Sequence, residues 1–135
     1  MRLCVLAYKR NEYKKPCFKI NTHKKPAVSV RFCPKLFKKD PKINASLFDV
    51  PYCMVFALAT IDSVIIYSTQ RLTPMFIVGN VHYAMLSDIS WAGQRTLGVS
   101  SNDGFCSFLV FDEKELGLEL SDEKLESLDL KEILK

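Results

Sequence analysis

The chain has 135 residues, 48% of them hydrophobic and 25% charged, the size and composition of one globular domain rather than a disordered or fibrous chain. Its longest purely apolar runs, such as Met54 to Ala59, fall far short of the ~20 residues a bilayer-spanning helix needs, so a soluble protein is expected. The net charge of +4 conceals an asymmetry: residues 1–42 hold thirteen Lys/Arg against Glu12 and Asp40, a balance of +11, residues 43–111 carry −2 and residues 112–135 carry −5.

The first ten residues, Met1 to Arg10, combine a basic residue with a short apolar stretch but end in Lys-Arg without a small-residue cleavage site, so no secretion signal is expected. Five cysteines (Cys4, Cys17, Cys33, Cys53, Cys106) are odd in number and show no Cys-x-x-Cys spacing. They read as reduced, buried thiols of an intracellular protein. The two histidines, His23 and His82, stand far apart and near no cysteine pair, so no metal site is expected.

In chain order, short β-rich runs are predicted over Leu3 to Tyr8, Cys17 to Ile20, Ala27 to Cys33, Cys53 to Thr60, Ser63 to Ser68, Met75 to Val78, Leu86 to Trp91, Thr96 to Ser101 and Phe105 to Phe111. They recur at the spacing of a sandwich, barrel or propeller, and no helical pattern interrupts them. Pro34 to Ala45, with two prolines and four lysines, reads as a long solvated loop. Asn102-Asp103-Gly104 is a hairpin turn in which both central positions can take positive φ, and Ile61-Asp62 fills the same place one unit earlier. Ser121, followed by Asp122 and Glu123, starts either a short C-terminal helix or an acidic tail that folds on a partner.

Placing Asp62 over Asp103 superimposes Met54 to Ser68 on Arg95 to Leu109, with one or two residues added in the later copy, and each copy reads strand, Asp turn, strand. Ala27 to Pro34 and Leu86 to Gly93 match as the preceding strands. A unit of this form at about 40–45 residues is the blade of a WD-repeat propeller. The later copy carries the signature in weakened form: His82 ends the Gly-His place, Asp103 is the turn residue, and Phe111-Asp112 replaces Trp-Asp, while the earlier copy has Tyr67-Ser68 there. Period-two alternation assigns Ile89, Trp91, Leu97, Val99, Cys106 and Phe108 to the core of the later blade.

More specific strings extend the likeness from Val50 to Leu118: Pro51-Tyr52, Val55-Phe56-Ala57, Asp62-Ser63-Val64, Val81-His82-Tyr83, Leu86-Ser87-Asp88-Ile89-Ser90-Trp91 and Asp103-Gly104-Phe105-Cys106-Ser107-Phe108. In these the chain resembles the WD-repeat subunits of chromatin assembly factor 1, and less closely the histone-regulator WD proteins. The resemblance implies an all-β, partial WD-repeat β-propeller, about two to three blades out of seven, over residues 1–118, followed by an acidic tail or short helix at 119–135. It also implies a nuclear, non-catalytic histone chaperone subunit that works with a large and a small partner subunit to deposit histones H3 and H4 on replicating DNA. His82, Asp62, Asp103, Trp91, Phe111 and Asp112 are then blade-structural residues. Glu113, Glu115, Glu119, Asp122 and Glu123 are candidates for contact with a basic partner.

The alternatives are a histone-regulator-type WD-repeat protein, or a small basic DNA-binding module built on residues 9–42, where cations interleave with aromatics. No Gly-x-Ser-x-Gly, phosphate loop, His-Glu-x-x-His or dinucleotide fingerprint occurs, so neither catalysis nor a cofactor is expected.

Overall fold

The computed structural model describes residues 4–22, 25–40, 52–71, 73–93 and 95–117. Among these residues nine strands form three antiparallel sheets, within each of which strands pair with their neighbours in sequence. A two-stranded ribbon comprises β1 (Cys4–Ala7) and β2 (Phe18–Asn21). A four-stranded sheet follows in the order β3 (Ala27–Phe37), β4 (Cys53–Thr60), β5 (Ser63–Ser68) and β6 (Phe76–Gly79), and a three-stranded sheet comprises β7 (Leu86–Trp91), β8 (Thr96–Ser101) and β9 (Cys106–Val110). One helical turn, α1 (Glu113–Leu116), ends the described residues. The described residues therefore hold the end of one blade, one whole blade and three strands of another, a partial all-β propeller.

The sheets stack because the middle one is apolar on both faces. Along β4, Cys53, Val55, Ala57 and Ala59 point into a core shared with Leu86, Ile89, Leu97 and Val99 of the third sheet. The alternate residues Phe56 and Leu58 point the other way and join Ile20 and Tyr67 in a second core against the ribbon. Strand β5 divides likewise, Val64 and Ile66 to the first core and Ile65 and Tyr67 to the second. Period-two geometry gives a strand two faces, and an apolar residue on each makes the middle blade a slab between two others. At about 1.5–3 kcal/mol for each large side chain taken out of water, Phe37, Leu58, Ile66, Val55 and Val64, all nearly or wholly buried, dominate its stability.

Four strands, β4, β5, β7 and β8, have the bounds their sequence predicts. Strand β3 does not. It continues through Pro34 to Phe37, where a loop is expected. A register shift between the pairs Phe32↔Phe56 and Leu36↔Met54 absorbs the proline, which has no N–H for the ladder. Beyond it, Phe37 is completely buried and holds the strand on the sheet.

The turn at Asp103 also differs. Only Gly104 has positive φ, at 87°, so the loop is a three-residue turn with glycine in the left-handed position rather than a two-residue mirror-image turn. The Gly104 N–H donates to the Ser101 carbonyl at 3.1 Å, and the Ser101 N–H to the Phe105 carbonyl at 3.2 Å.

The core assigned to the later blade divides. Ile89, Leu97 and Val99 are buried, but Cys106 and Phe108 are exposed, Phe108 at 67%. The ladder shows why: Cys106 and Phe108 stand opposite Ser100 and Gly98, whereas Leu97 and Val99 stand opposite Leu109 and Ser107. The two sets lie on opposite faces, and among the described residues only the second faces another sheet. The cysteines divide too. Cys33 and Cys53 are buried, whereas Cys4, Cys17 and Cys106 are exposed, and all five are free thiols.

Candidate functional site at the blade turns

At the turn joining β4 to β5, Asp62 accepts hydrogen bonds from Lys25 Nζ at 2.9 and 3.0 Å, from Ser63 Oγ at 2.8 Å and from Thr60 Oγ1 at 3.4 Å. The Ser63 N–H donates back to Thr60 Oγ1 at 3.2 Å. At the turn joining β8 to β9, Asp103 Oδ2 lies 3.1 Å from His82 Nδ1, and Oδ1 accepts the Phe105 N–H at 2.9 Å. A carboxylate only accepts, so Nδ1 carries the proton in this pair. The Asp103 N–H donates to Ser101 Oγ at 3.3 Å, which itself bonds the Ala84 and Met85 carbonyls.

The two networks are the same device built twice. In each, an aspartate at the hairpin turn is met by a cationic or imidazole side chain from the connection entering the blade, and a hydroxyl two residues before the aspartate closes the turn. Ala27 pairs with Thr60 and Leu86 with Ser101, so the position matching His82 is His23, which lies outside the described residues. Among the described residues, Lys25 meets Asp62. Motif reasoning misses Lys25 because it stands two places from the signature histidine. Its only sequence signal is a cation just before the first strand of the blade.

Backbone bonds tie the turns together. The Leu86 N–H donates to the Ile61 carbonyl at 2.9 Å and the Asn80 N–H to the Asp62 carbonyl at 3.2 Å, so the first turn anchors the chain as it enters the next blade. Both carboxyls are held below the usual aspartate range. The Lys25 and Ser63 hydrogen bonds are the chief causes at Asp62; at Asp103 the Phe105 N–H leads, with His82 adding to it. His82 is 5% exposed at its side chain, and its Nε2 meets no partner among the described residues. These carboxylates and hydroxyls are engaged in holding turns, and the described network leaves no activated nucleophile beside a base.

The remaining expected blade residues gather at the opposite end of the sheets. Phe111 is buried between Phe76 and Trp91, with ring centroids 6.2 and 6.1 Å away. Its N–H donates to the Arg95 carbonyl at 2.8 Å, as the Thr69 N–H does to the Met54 carbonyl at 2.9 Å. That correspondence makes Thr69-Gln70, not Tyr67-Ser68, the earlier copy's counterpart of Phe111-Asp112. Trp91 is half-buried rather than fully buried: its ring packs on the first core while Nε1–H reaches the Arg31 carbonyl at 3.1 Å.

Asp112 begins α1. Its N–H donates to Glu115 Oε2 at 2.7 Å, one half of a capping box. Glu113 pairs with Arg95 at 2.8 Å and keeps more than half of its side chain in solvent. Glu119, Asp122 and Glu123, with the whole 119–135 tail, lie outside the described residues.

Two flanking blades packed on a central one, with an Asp-centred turn repeated between strands, define a β-propeller of the WD type. Residues 1–116 match the CAF1B/HIR1 beta-propeller domain, and the chain belongs to that family. It is 38% identical over 110 residues to the chromatin assembly factor 1 subunit FAS2 homolog of Oryza sativa, covering 81% of this chain and 22% of that protein. It is 41% identical over 110 residues to a chromatin assembly factor 1 subunit of Schizosaccharomyces pombe, covering 78% of this chain and 22% of that one. Similarity to the protein HIRA of Homo sapiens is lower, 34% over 105 residues, 76% of this chain and 10% of that protein. The chain thus spans about a fifth of the assembly-factor relatives it matches.

Proposed function

We propose that the chain is a non-catalytic scaffold segment of a chromatin-assembly propeller, acting in the nucleus with the large and small subunits of chromatin assembly factor 1 in the deposition of histones H3 and H4. The observation that carries this reading is the doubled turn network within a chain of the CAF1B/HIR1 family: its carboxylates, hydroxyls and ring nitrogen are directed at its own backbone and at each other. In this reading Asp62, His82, Asp103, Trp91, Phe111 and Asp112 hold blades in register. The exposed carboxylate of Glu113, with Glu115 and the acidic residues Glu119, Asp122 and Glu123 of the tail, offers a surface for a basic partner segment. Residues 1–118 are the propeller unit and 119–135 the tail.

The test is recovery of partners from nuclear extract on the tagged chain, read by mass spectrometry. Enrichment of the large assembly-factor subunit with H3 and H4, reduced when Glu113, Glu119, Asp122 and Glu123 are changed to Gln, is the expected outcome. Recovery of neither the large subunit nor histones overturns the assignment.

A further inference from the structure

The ribbon β1–β2 carries a basic, aromatic tip that the scaffold reading does not use. Its connection is ordered: the Glu12 N–H donates to the Lys9 carbonyl at 3.1 Å, Asn11 sits in the left-handed region at φ 68°, and the Cys17 N–H closes on the Ala7 carbonyl at 2.7 Å. Around this turn Lys9, Arg10, Lys14 and Lys15 are exposed, with Glu12 the one acidic residue among them. Tyr8 and Tyr13 flank it, 41% and 68% exposed. Lys19 adds a further cation on the ribbon's outward face, opposite Leu6 in the ladder.

The topology fixes where the tip lies. Strand β2 runs from Phe18, which meets Phe56 at 6.4 Å, toward Lys25 at the Asp62 turn. The tip therefore projects from the other end of the sheets, where β3 passes exposed Lys35 and finishes at Phe37 opposite Cys53. The acidic turn α1 is also at that end, but Leu116 seats it in the first core, whereas the ribbon packs on the second. The middle sheet stands between them. Packed sheets are ~10 Å apart, so the ribbon and α1 on opposite faces of the middle sheet lie ~20 Å apart, more than twice the ~8 Å screening length at physiological salt, and the acids of α1 do not neutralise the tip.

We propose that this ribbon tip is a nucleic-acid contact, with Lys9, Arg10, Lys14, Lys15, Lys19 and Lys35 on the phosphodiester backbone and Tyr13 as a stacking platform for an exposed base. Point cations on an ordered turn suit a phosphate chain without base-specific readout. Interleaved exposed tyrosines are what single strands stack on, and they give no corresponding advantage with an acidic peptide, which has no bases.

The test is fluorescence anisotropy of labelled single-stranded and duplex oligonucleotides titrated with the full chain at several salt concentrations, sedimentation being run on each variant to follow its association state. Binding should weaken with salt, log K falling by about 0.7 to 0.9 per phosphate neutralised for each tenfold rise in salt. The fourfold variant K9E/R10E/K14E/K15E should lose at least tenfold in affinity for both ligands and shed about three of those slope units. Its thermal midpoint should stay close to that of the parent, since the changes are confined to an exposed turn. Y13A should weaken the single strand by roughly tenfold and leave the duplex nearly unchanged. No binding at 50 mM salt, unchanged affinity in the fourfold variant, a Y13A without effect on the single strand, or poly-glutamate bound as tightly as the oligonucleotides each overturns the proposal.

Discussion

Asp62 and Asp103 make the stability of the chain depend on acid in one direction only. Both carboxyls are held below the ordinary value of 3.8 by hydrogen bonds present only in the folded state. A group with a depressed folded pKa contributes stability that is fully present above its unfolded pKa and lost as pH falls through the folded one. The thermal midpoint should therefore be steady with respect to these two groups above about pH 5 and fall as pH drops below about 4. A D62N/D103N variant should start lower at neutral pH and show a shallower acid limb; a limb as steep as the parent's would remove these carboxylates from the account. Gly104, at φ 87° with open space around its missing Cβ, is the other sensitive turn residue. Gly104→Ala should cost about 1 kcal/mol through backbone strain alone. The aspartates are legible in the sequence because the repeat aligns them. Lys25 is not, because an ion pair between residues 37 apart leaves no local pattern.

At the scale of the strand, alternation shows that there are two faces but not which of them another sheet covers. It therefore places Leu97 and Val99 correctly and Phe108 wrongly, though all three lie in period-two runs. The difference is measurable by unfolding. Leu97→Ala, at a fully buried position, should destabilise by about 2–5 kcal/mol, while Phe108→Ala, at one that is 67% exposed, should change the chain's stability by less than about 1 kcal/mol. Equal costs would mean that the Phe108 face is packed in solution. Trp91 falls between them: it is partly buried, and its Nε1–H bond to the Arg31 carbonyl is made near solvent. Trp91→Ala should cost about 2 kcal/mol and Trp91→Phe, which keeps much of the packing, about 1. Pro34 misleads for a different reason. A proline and nearby lysines mark a loop locally, but burial of Phe37 on the far side of the bulge pulls the chain back onto β4, a tertiary effect that no short window contains.

Over the whole molecule, the middle blade has four strands while the third has three among the described residues, and the internal repeat shows what this exposes. Strand β5, the counterpart of β9, pairs on its outer side with β6, whereas among the described residues β9 pairs only with β8. Phe108 and Val110 of β9 are exposed and line one cleft with exposed Ile77 of β6, and the backbone groups on the outer side of β9 meet no further strand among the described residues. Such an edge is a template for another strand, and repeats of this kind generally need three or more stacked units to be stable. The 135-residue chain alone should therefore self-associate, sedimenting as dimers or larger species at micromolar concentration and unfolding with weak cooperativity. Val110→Lys places a charge on that edge without entering either core, and should shift the distribution toward monomer while leaving the far-ultraviolet spectrum unchanged. A monodisperse parent monomer with a sharp transition well above ~45 °C, the lower edge for ordinary mesophilic domains, would show that two cores and nine strands suffice without further blades.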